Sequence, residues 1–306
     1  EVQASYVRKR RRGGRRYAEE DSTVGAGVIL NSDGIVVTNH HVIKGSDRVG
    51  VLLPDHRSFE PEVLGSDPTS DVAVLRLPAR DLTVPRFQPD RRPRRGELVF
   101  ALGSPFGFTS SACMGIVSDP ARFEIGPSGP ALYIQTDIPI NEGHSGGALV
   151  GCDGAVIGLN AWAVEDSQGL AFSIPISRVI KIAQKLVQDG TVYYGNIGAS
   201  GSEFALPADI VRTHGISQST AFLVEMIDSK GPAARAGIRR DDWIISIDGC
   251  PVDTVEAFLD AMDGDRADRE VPIRIIRGLG GSLADRTIKI EKVPTSGARK
   301  NSRRRY

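Results

Sequence analysis

Asn141-Glu-Gly-His-Ser-Gly-Gly-Ala-Leu-Val150 sets a serine between glycines, directly ahead of an apolar run. A serine hydroxyl is a weak nucleophile until a base takes its proton and donors hold the oxyanion formed by its attack. Gly143 and Gly146 free the backbone to aim N–H groups into one small space. The same stretch also reads as a glycine-rich turn joining two strands, so its meaning depends on what the rest of the chain supplies.

The chain supplies a histidine and a carboxylate in matching contexts. Its five histidines are His40, His41, His56, His144 and His214. Two of them adjoin in Val37-Thr-Asn-His-His-Val-Ile43, where a β-type run turns into a short helix. A carboxylate lies in Ser66-Asp-Pro-Thr-Ser-Asp-Val-Ala-Val-Leu75, directly before another β-type run. Pro68 marks Asp67 as a turn residue, which leaves Asp71 at the mouth of the strand. The order is therefore His, Asp, Ser, the order of chymotrypsin-type double barrels.

Working outward, short β-type runs fill residues 22–174, separated by Gly, Pro, Asp and Asn. Gly27–Leu30, Ile35–Thr38, Val49–Leu53, Val72–Leu77, Leu98–Leu102, Leu132–Thr136, Ala148–Val150 and Ala155–Leu159 are examples. That spacing predicts an all-β barrel or sandwich. Pro175 to Gly190 changes period: Val179, Ile180, Ala183, Leu186 and Val187 share one helical face, and Gly190 suits a C-cap. Beyond Gly195 a small α+β module is predicted. Its strands are Ala221–Ile227, Trp243–Ile247, Val271–Ile276 and Thr287–Ile290, and its helices are Pro232–Ile238 and Thr254–Met262.

These segments together resemble the HtrA/Deg family of chymotrypsin-like serine proteases with one C-terminal PDZ domain, over roughly residues 22–293. Thr38-Asn-His-His-Val42 resembles the family's histidine segment, and the histidine before the valine selects His41 over His40. Asp67–Leu75, Ala101-Leu-Gly-Ser-Pro-Phe-Gly107, Thr136–Gly147 and Gly169-Leu-Ala-Phe-Ser-Ile-Pro175 resemble the aspartate segment, a neighbouring loop, the serine signature and the wall of the specificity pocket. Lys230–Ile238 with Asp242–Val252 resembles the PDZ module.

The resemblance implies a mainly β fold, a two-barrel protease domain followed by a small α+β PDZ domain. The expected division is a disordered basic segment over 1–21, the protease domain over 22–190, the PDZ domain over 195–293 and a basic tail over 294–306. It implies His41, Asp71 and Ser145 as the catalytic set, and N–H groups of Gly143, His144 and Ser145 as the oxyanion hole. Ile140, Gly169, Leu170, Ala171 and Phe172 would line an uncharged pocket, implying cleavage after small or aliphatic residues of unfolded polypeptides. Asn196, Ile197, Gly198 and Ala199 would form the PDZ loop that receives a peptide carboxylate. The resemblance further implies a homo-oligomer, a trimer or a multiple of it, and a role in protein quality control. No metal or cofactor is implied. The alternative is a PDZ-bearing chaperone or adaptor with a silent protease domain.

The chain departs from the family pattern at three places. His144 stands where the family has Asn, so its side chain could compete as a local base. Glu142 puts a carboxylate near the substrate path. Asp241 stands where such PDZ domains often have Gly.

Composition sets outer bounds. The 306 residues suit two domains, and 40% apolar with 25% charged residues is ordinary for a globular chain. The formal net charge is zero, which argues neither for nor against a nucleic-acid partner, and none is expected. The cations Arg8–Arg12, Arg15 and Arg16 read as a solvated tail or as a contact for a membrane surface or other polyanion. Three scattered cysteines, Cys113, Cys152 and Cys250, form no disulfide framework or metal spacing, and no basic neighbour in sequence marks a reactive thiol. No apolar run reaches 18 residues. The first residue is Glu1, which leaves room for an upstream signal peptide or anchor. A periplasmic or otherwise extracytoplasmic location is expected, with membrane association through such a segment.

Overall fold

The computed structural model describes residues 1–12, 15–105, 108, 110–126, 129–164, 167–262, 264–278 and 281–294, with the backbone alone for 6–12, 15–21, 124–126, 129–130 and 294. The chain divides into two compact units, Glu1–Val192 and Tyr193–Thr295. The basic tail expected over 294–306 falls outside the described residues apart from the backbone of Pro294.

The first unit opens on an antiparallel hairpin. Val2–Arg12 pairs with Arg15–Gly25 residue for residue, from Val2 opposite Gly25 to Arg12 opposite Arg15. This corrects the reading of 1–21 as a disordered segment outside the domain. Val2 and Ala4 are each 1% exposed and sit in the core, because the alternation Val2, Ala4 is a strand period that the following run of cations obscures. The hairpin, Arg48–Leu52 and Ser58–Phe59 make one four-stranded sheet. Val28–Ile29, Ile35–Thr38, Val72–Arg76 and Glu62–Asp67 make another. Apolar side chains of both sheets meet in one core that includes Val2, Val36, Val42, Val51, Leu75 and Leu77.

The second half of this unit is a closed barrel. Its strands run in the order Ser111–Gly126, Gly129–Thr136, Ala171–Pro175, Val156–Ala163, Ala148–Gly151 and Leu98–Gly103. Closure removes exposed strand edges. The long strand Ser111–Gly126 is unmarked in sequence by any apolar alternation, and its register slips on both sides of Asp119, next to Pro120, which cannot donate to a ladder. A helix, Ile176–Asp189, follows the barrel. Its buried stripe is Ile176, Val179, Ile182, Ala183 and Leu186, while Val187, expected on that stripe, is 40% exposed. Gly190 ends it at φ 68°, its N–H on the Leu186 carbonyl at 3.0 Å.

The second unit holds a sheet in the order Ala199–Ala205, Thr220–Ile227, Asp242–Ile247, Glu270–Arg277 and Leu283–Lys289, with Cys250–Pro251 beside Asp242–Ile247. Helices Ala208–His214, Pro232–Arg235 and Val255–Ala261 accompany it. Phe222 and Phe258 stack face to face at 3.8 Å within a core shared with Ile197, Ile244 and Ile273. Asp241 takes φ 68°, the left-handed conformation that glycine adopts freely and that Asp tolerates better than most residues. That accounts for the departure at this position.

Candidate active site

His41 lies on the one-turn helix His40–Ile43, entered from the buried strand Ile35–Thr38. Asp71 opens the buried strand Val72–Arg76, which pairs with Ile35–Thr38. The pairing fixes their approach. His41 Nδ1 lies 2.7 Å from Asp71 Oδ2, and the His41 backbone N–H donates to Asp71 Oδ1 at 2.9 Å. The side chain of His41 is 43% exposed and that of Asp71 is 7% exposed, so the imidazole meets solvent while the carboxylate is enclosed. Asp71 has φ 60°. Its carbonyl accepts from Asn39 Nδ2 at 2.9 Å and from the His40 N–H at 3.1 Å, which holds that conformation in place. His40 turns elsewhere: its Nδ1 lies 3.1 Å from Ser66 Oγ, and burial holds its imidazole below the ordinary value.

The serine loop is fastened to the same strand system. The Ala26 N–H donates to the Ser145 carbonyl at 2.8 Å, and Thr38 Oγ1 donates to the Ala26 carbonyl at 2.7 Å. Gly146 lies against Ala26 and Thr38 so closely that no Cβ fits there. Ser145 Oγ donates to the Ala161 carbonyl at 3.0 Å. No hydrogen bond joins it to His41 among the described residues.

Gly143 has φ 97°, and a Cβ there would collide with Ser104 and Pro105. Its carbonyl accepts from the Ser104 N–H at 3.0 Å. The loop beginning at Ser104 therefore braces the serine turn, though Phe106 and Gly107 of that motif lie outside the described residues. No described hydrogen bond uses the N–H of Gly143 or Ser145. The His144 N–H, expected as a third oxyanion donor, instead closes the turn on the Asn141 carbonyl at 3.0 Å. A bonded donor inside the turn is not available to an oxyanion, which corrects that expectation.

No described hydrogen bond joins the His144 ring to Ser145. The ring is buried, its Nδ1 3.2 Å from the Asn141 N–H nitrogen and its Nε2 3.5 Å from Cys113 Sγ. Burial pushes this imidazole below its ordinary value. A neutral ring directed at Asn141 and Cys113 does not compete with His41 for the Ser145 proton. Cys113 does have an imidazole neighbour, which sequence distance alone hid. Glu142 is exposed.

Of the residues expected to line the pocket, Ala171 and Phe172 lie on the strand Ala171–Pro175. Thr136 pairs with Ala171, and Ala163 pairs with Ala171 on the other flank. Gly169, at φ 79°, lies beside Asp137. The Asp137 carboxylate accepts the Ile116 N–H at 2.6 Å. Ile140 is half-buried against the barrel core with Cys113. Leu170 is 38% exposed, while Ala171 and Phe172 are buried. Phe172 stacks on Trp162 at 4.2 Å, and Tyr133 meets both edge-on. Ala161, Trp162 and Tyr133 lie beside the site by sheet register, a signal absent from any local motif.

In the second unit, Asn196, Ile197, Gly198 and Ala199 lead into the edge strand Ala199–Ala205. Ile197 is buried and its carbonyl accepts from the Ala233 N–H at 2.8 Å. Gly198, at φ 70°, spends its N–H on Asn196 Oδ1 at 2.8 Å. The Gly198 N–H is therefore already engaged within the loop expected to receive a peptide carboxylate. The N–H of Ile197 takes part in no described hydrogen bond.

Residues 25–159 match the family model of the trypsin-like peptidase domain, and residues 223–277 match that of the PDZ domain. The serine endoprotease DegS of Escherichia coli strain K12 is 36% identical over 266 residues, covering 84% of this chain and 74% of DegS. The chain belongs to the HtrA-type serine endoproteases. Within that family, a Pseudomonas fulva protein named "Probable periplasmic serine endoprotease DegP-like" is 37% identical over 78% of this chain and 50% of its own length. Among solved structures, the HtrA-type protease AlgW with a tripeptide superposes with a TM-score of 0.76 at 30% identity, covering 96% of this chain and 94% of that one. AlgW with a decapeptide gives 0.72 at 27% identity, covering 96% and 94%. The HtrA-type chain described here is thus a chymotrypsin-like serine endoprotease followed by a PDZ domain.

Proposed function

We propose that Ser145, His41 and Asp71 carry out peptide hydrolysis, and the observation behind this is the paired contact of Asp71 with His41 at 2.7 and 2.9 Å beside the Ser145 turn. Asp71 Oδ2 accepts the Nδ1 proton, which leaves Nε2 with the lone pair and fixes it as the base. Ser145 first rotates away from Ala161, giving up one neutral hydrogen bond, a cost of about 1 kcal/mol. Its Oγ then attacks the scissile carbonyl carbon while Nε2 takes the hydroxyl proton. The N–H groups of Gly143 and Ser145 hold the oxyanion, each supplying about 3 kcal/mol of barrier reduction. As the C–N bond breaks, the imidazolium returns the proton to the leaving amine. Water, activated by the same imidazole, then cleaves the acyl-enzyme.

Ile140, Leu170, Ala171 and Phe172 offer no charge, which supports cleavage after small or aliphatic residues, with unfolded polypeptides as substrates. The peptides in the AlgW structures support a PDZ domain that takes peptide C-termini at the Ala199–Ala205 edge. Family membership supports a homo-oligomer, a trimer or a multiple of it, which sedimentation equilibrium reads directly. It also supports an extracytoplasmic role in protein quality control. Among the described residues no helix is long and apolar enough to cross a membrane.

The decisive measurement is degradation of casein by the wild type and by Ser145→Ala. Turnover by the wild type and none by the variant is the expected result. Equal turnover would remove Ser145 as the nucleophile, and none by either across pH and temperature would leave the second reading, a PDZ-bearing chaperone with a silent protease domain. The Ser145–Ala161 hydrogen bond is the observation that favours that reading.

A further inference from the structure

The turn that presents the proposed oxyanion donors is anchored by a side chain with no part in the proton relay. His144 is 1% exposed. Its Nδ1 lies 3.2 Å from Asn141 N and 3.3 Å from the Asn141 carbonyl oxygen, and its Nε2 lies 3.5 Å from Cys113 Sγ. The Asn141 N–H can only donate, so the tautomer that satisfies it has its lone pair on Nδ1 and its ring proton on Nε2, facing the Cys113 sulfur. Gly103 leaves room for His144, whose Cα and Cδ2 a Cβ at that position would meet. One imidazole thus ties the loop 141–144 to the barrel strands Leu98–Gly103 and Ser111–Gly126. Gly143 lies between the two residues that the ring fastens together.

Three elements face the ring: the Cys113 thiol from one strand, the backbone of Gly103 from the other, and Asn141 from its own loop. No carboxylate touches it among the described residues. A proton added at Nδ1 could be donated to the Asn141 carbonyl at 3.3 Å, but it takes the acceptor away from the Asn141 N–H and leaves a buried charge without a counter-ion, and burial outweighs the carbonyl contact.

We propose that His144 is a positioning residue whose neutral imidazole keeps the Gly143 N–H aimed at the oxyanion, and whose protonation releases the turn and stops hydrolysis. This rests on the reading of Ser145 as nucleophile. The lowered proton affinity of the ring agrees with it, since the folded turn is then intact at neutral pH and is lost only on acidification.

Two substitutions separate positioning from packing. His144→Asn keeps an acceptor for the Asn141 N–H and cannot titrate; His144→Leu fills the space without an acceptor. On the full chain, kcat and KM for a small-residue chromogenic peptide are measured from pH 4.5 to 9. The wild type should lose log kcat with a limiting acid slope of two, because His41 and His144 must both be neutral. His144→Asn should show a slope of one and recover at least tenfold in kcat over His144→Leu, with KM moving less than threefold. An unchanged slope in His144→Asn, or wild-type kcat in His144→Leu, overturns the proposal.

A second readout is independent of turnover. In Ser145→Ala protein, the Gly143 amide resonance should shift with the same midpoint as the His144 ring, and this shift should vanish when His144→Asn is added. A Gly143 amide that ignores the His144 titration refutes the positioning role even if the casein assay has already removed Ser145 as nucleophile. Slopes that fail while casein turnover still depends on Ser145 refute His144 alone.

Discussion

Asp71 shows how much one residue is asked to do. It holds a left-handed backbone at φ 60°, accepts two hydrogen bonds on its carbonyl and gives each carboxylate oxygen to His41. Asp71→Asn keeps the shape and can still accept the His41 N–H, but presents an amide N–H₂ to Nδ1. The ring must then place its proton on Nε2, the wrong tautomer for a base. We expect kcat to fall by about 10³- to 10⁴-fold with little change in KM. Thermal unfolding should show a Tm within a few degrees of the wild type; activity within tenfold of the wild type would remove Asp71 from the relay. The choice of His41 over His40 was legible from the valine that follows it. The direction of each ring was not, because it depends on Ser66 and Asp71, which enter from other strands.

At the scale of elements, legibility followed periodicity. Strands such as Ile35–Thr38 and Val72–Arg76 are unbroken apolar runs and read directly. The helix Ile176–Asp189 read correctly down to Gly190, though its buried stripe includes Ile182 and not Val187. Ser111–Gly126 escaped notice because its residues earn their place by ladder hydrogen bonds to two neighbours, not by alternation. The Ala199–Ala205 strand was equally faint, being a mostly exposed edge. That edge carries a prediction of its own. A peptide with a free C-terminus should bind the chain, as followed by fluorescence anisotropy, and amidation of its carboxylate should weaken binding at least tenfold, since a charge-assisted contact to the loop N–H groups is removed. Equal affinity for the amidated peptide would take the carboxylate role away from the Asn196–Ala199 loop.

For the molecule as a whole, a formal net charge of zero conceals a concentration of cations at the end of one hairpin. The ladder sets Arg11 opposite Arg16 and Arg12 opposite Arg15, with Arg8, Lys9 and Arg10 on the adjoining stretch. A contact with anionic lipid contributes about 1 kcal/mol per basic residue near the surface and fades within a Debye length of about 10 Å at 0.1 M salt. Replacing Arg8–Arg12 by serines should therefore abolish co-sedimentation with phosphatidylserine vesicles at 50 mM salt, and 0.5 M salt should do the same to the wild type. Salt-independent or replacement-independent binding would exclude the hairpin as the contact. That hairpin also marks the division between what was written locally and what was not. The sequence by itself determined the two-domain plan, most strands and helices of marked period, and the choice of His41, Asp71 and Ser145 as the candidate catalytic set, because short motifs and apolar spacing are local properties. Tertiary structure decided that Val2 and Ala4 belong to the core, that Ser145 rests on Ala161, and that the His144 ring meets Cys113. Each of those depends on groups brought together across the barrels by strand register, which no window of sequence contains.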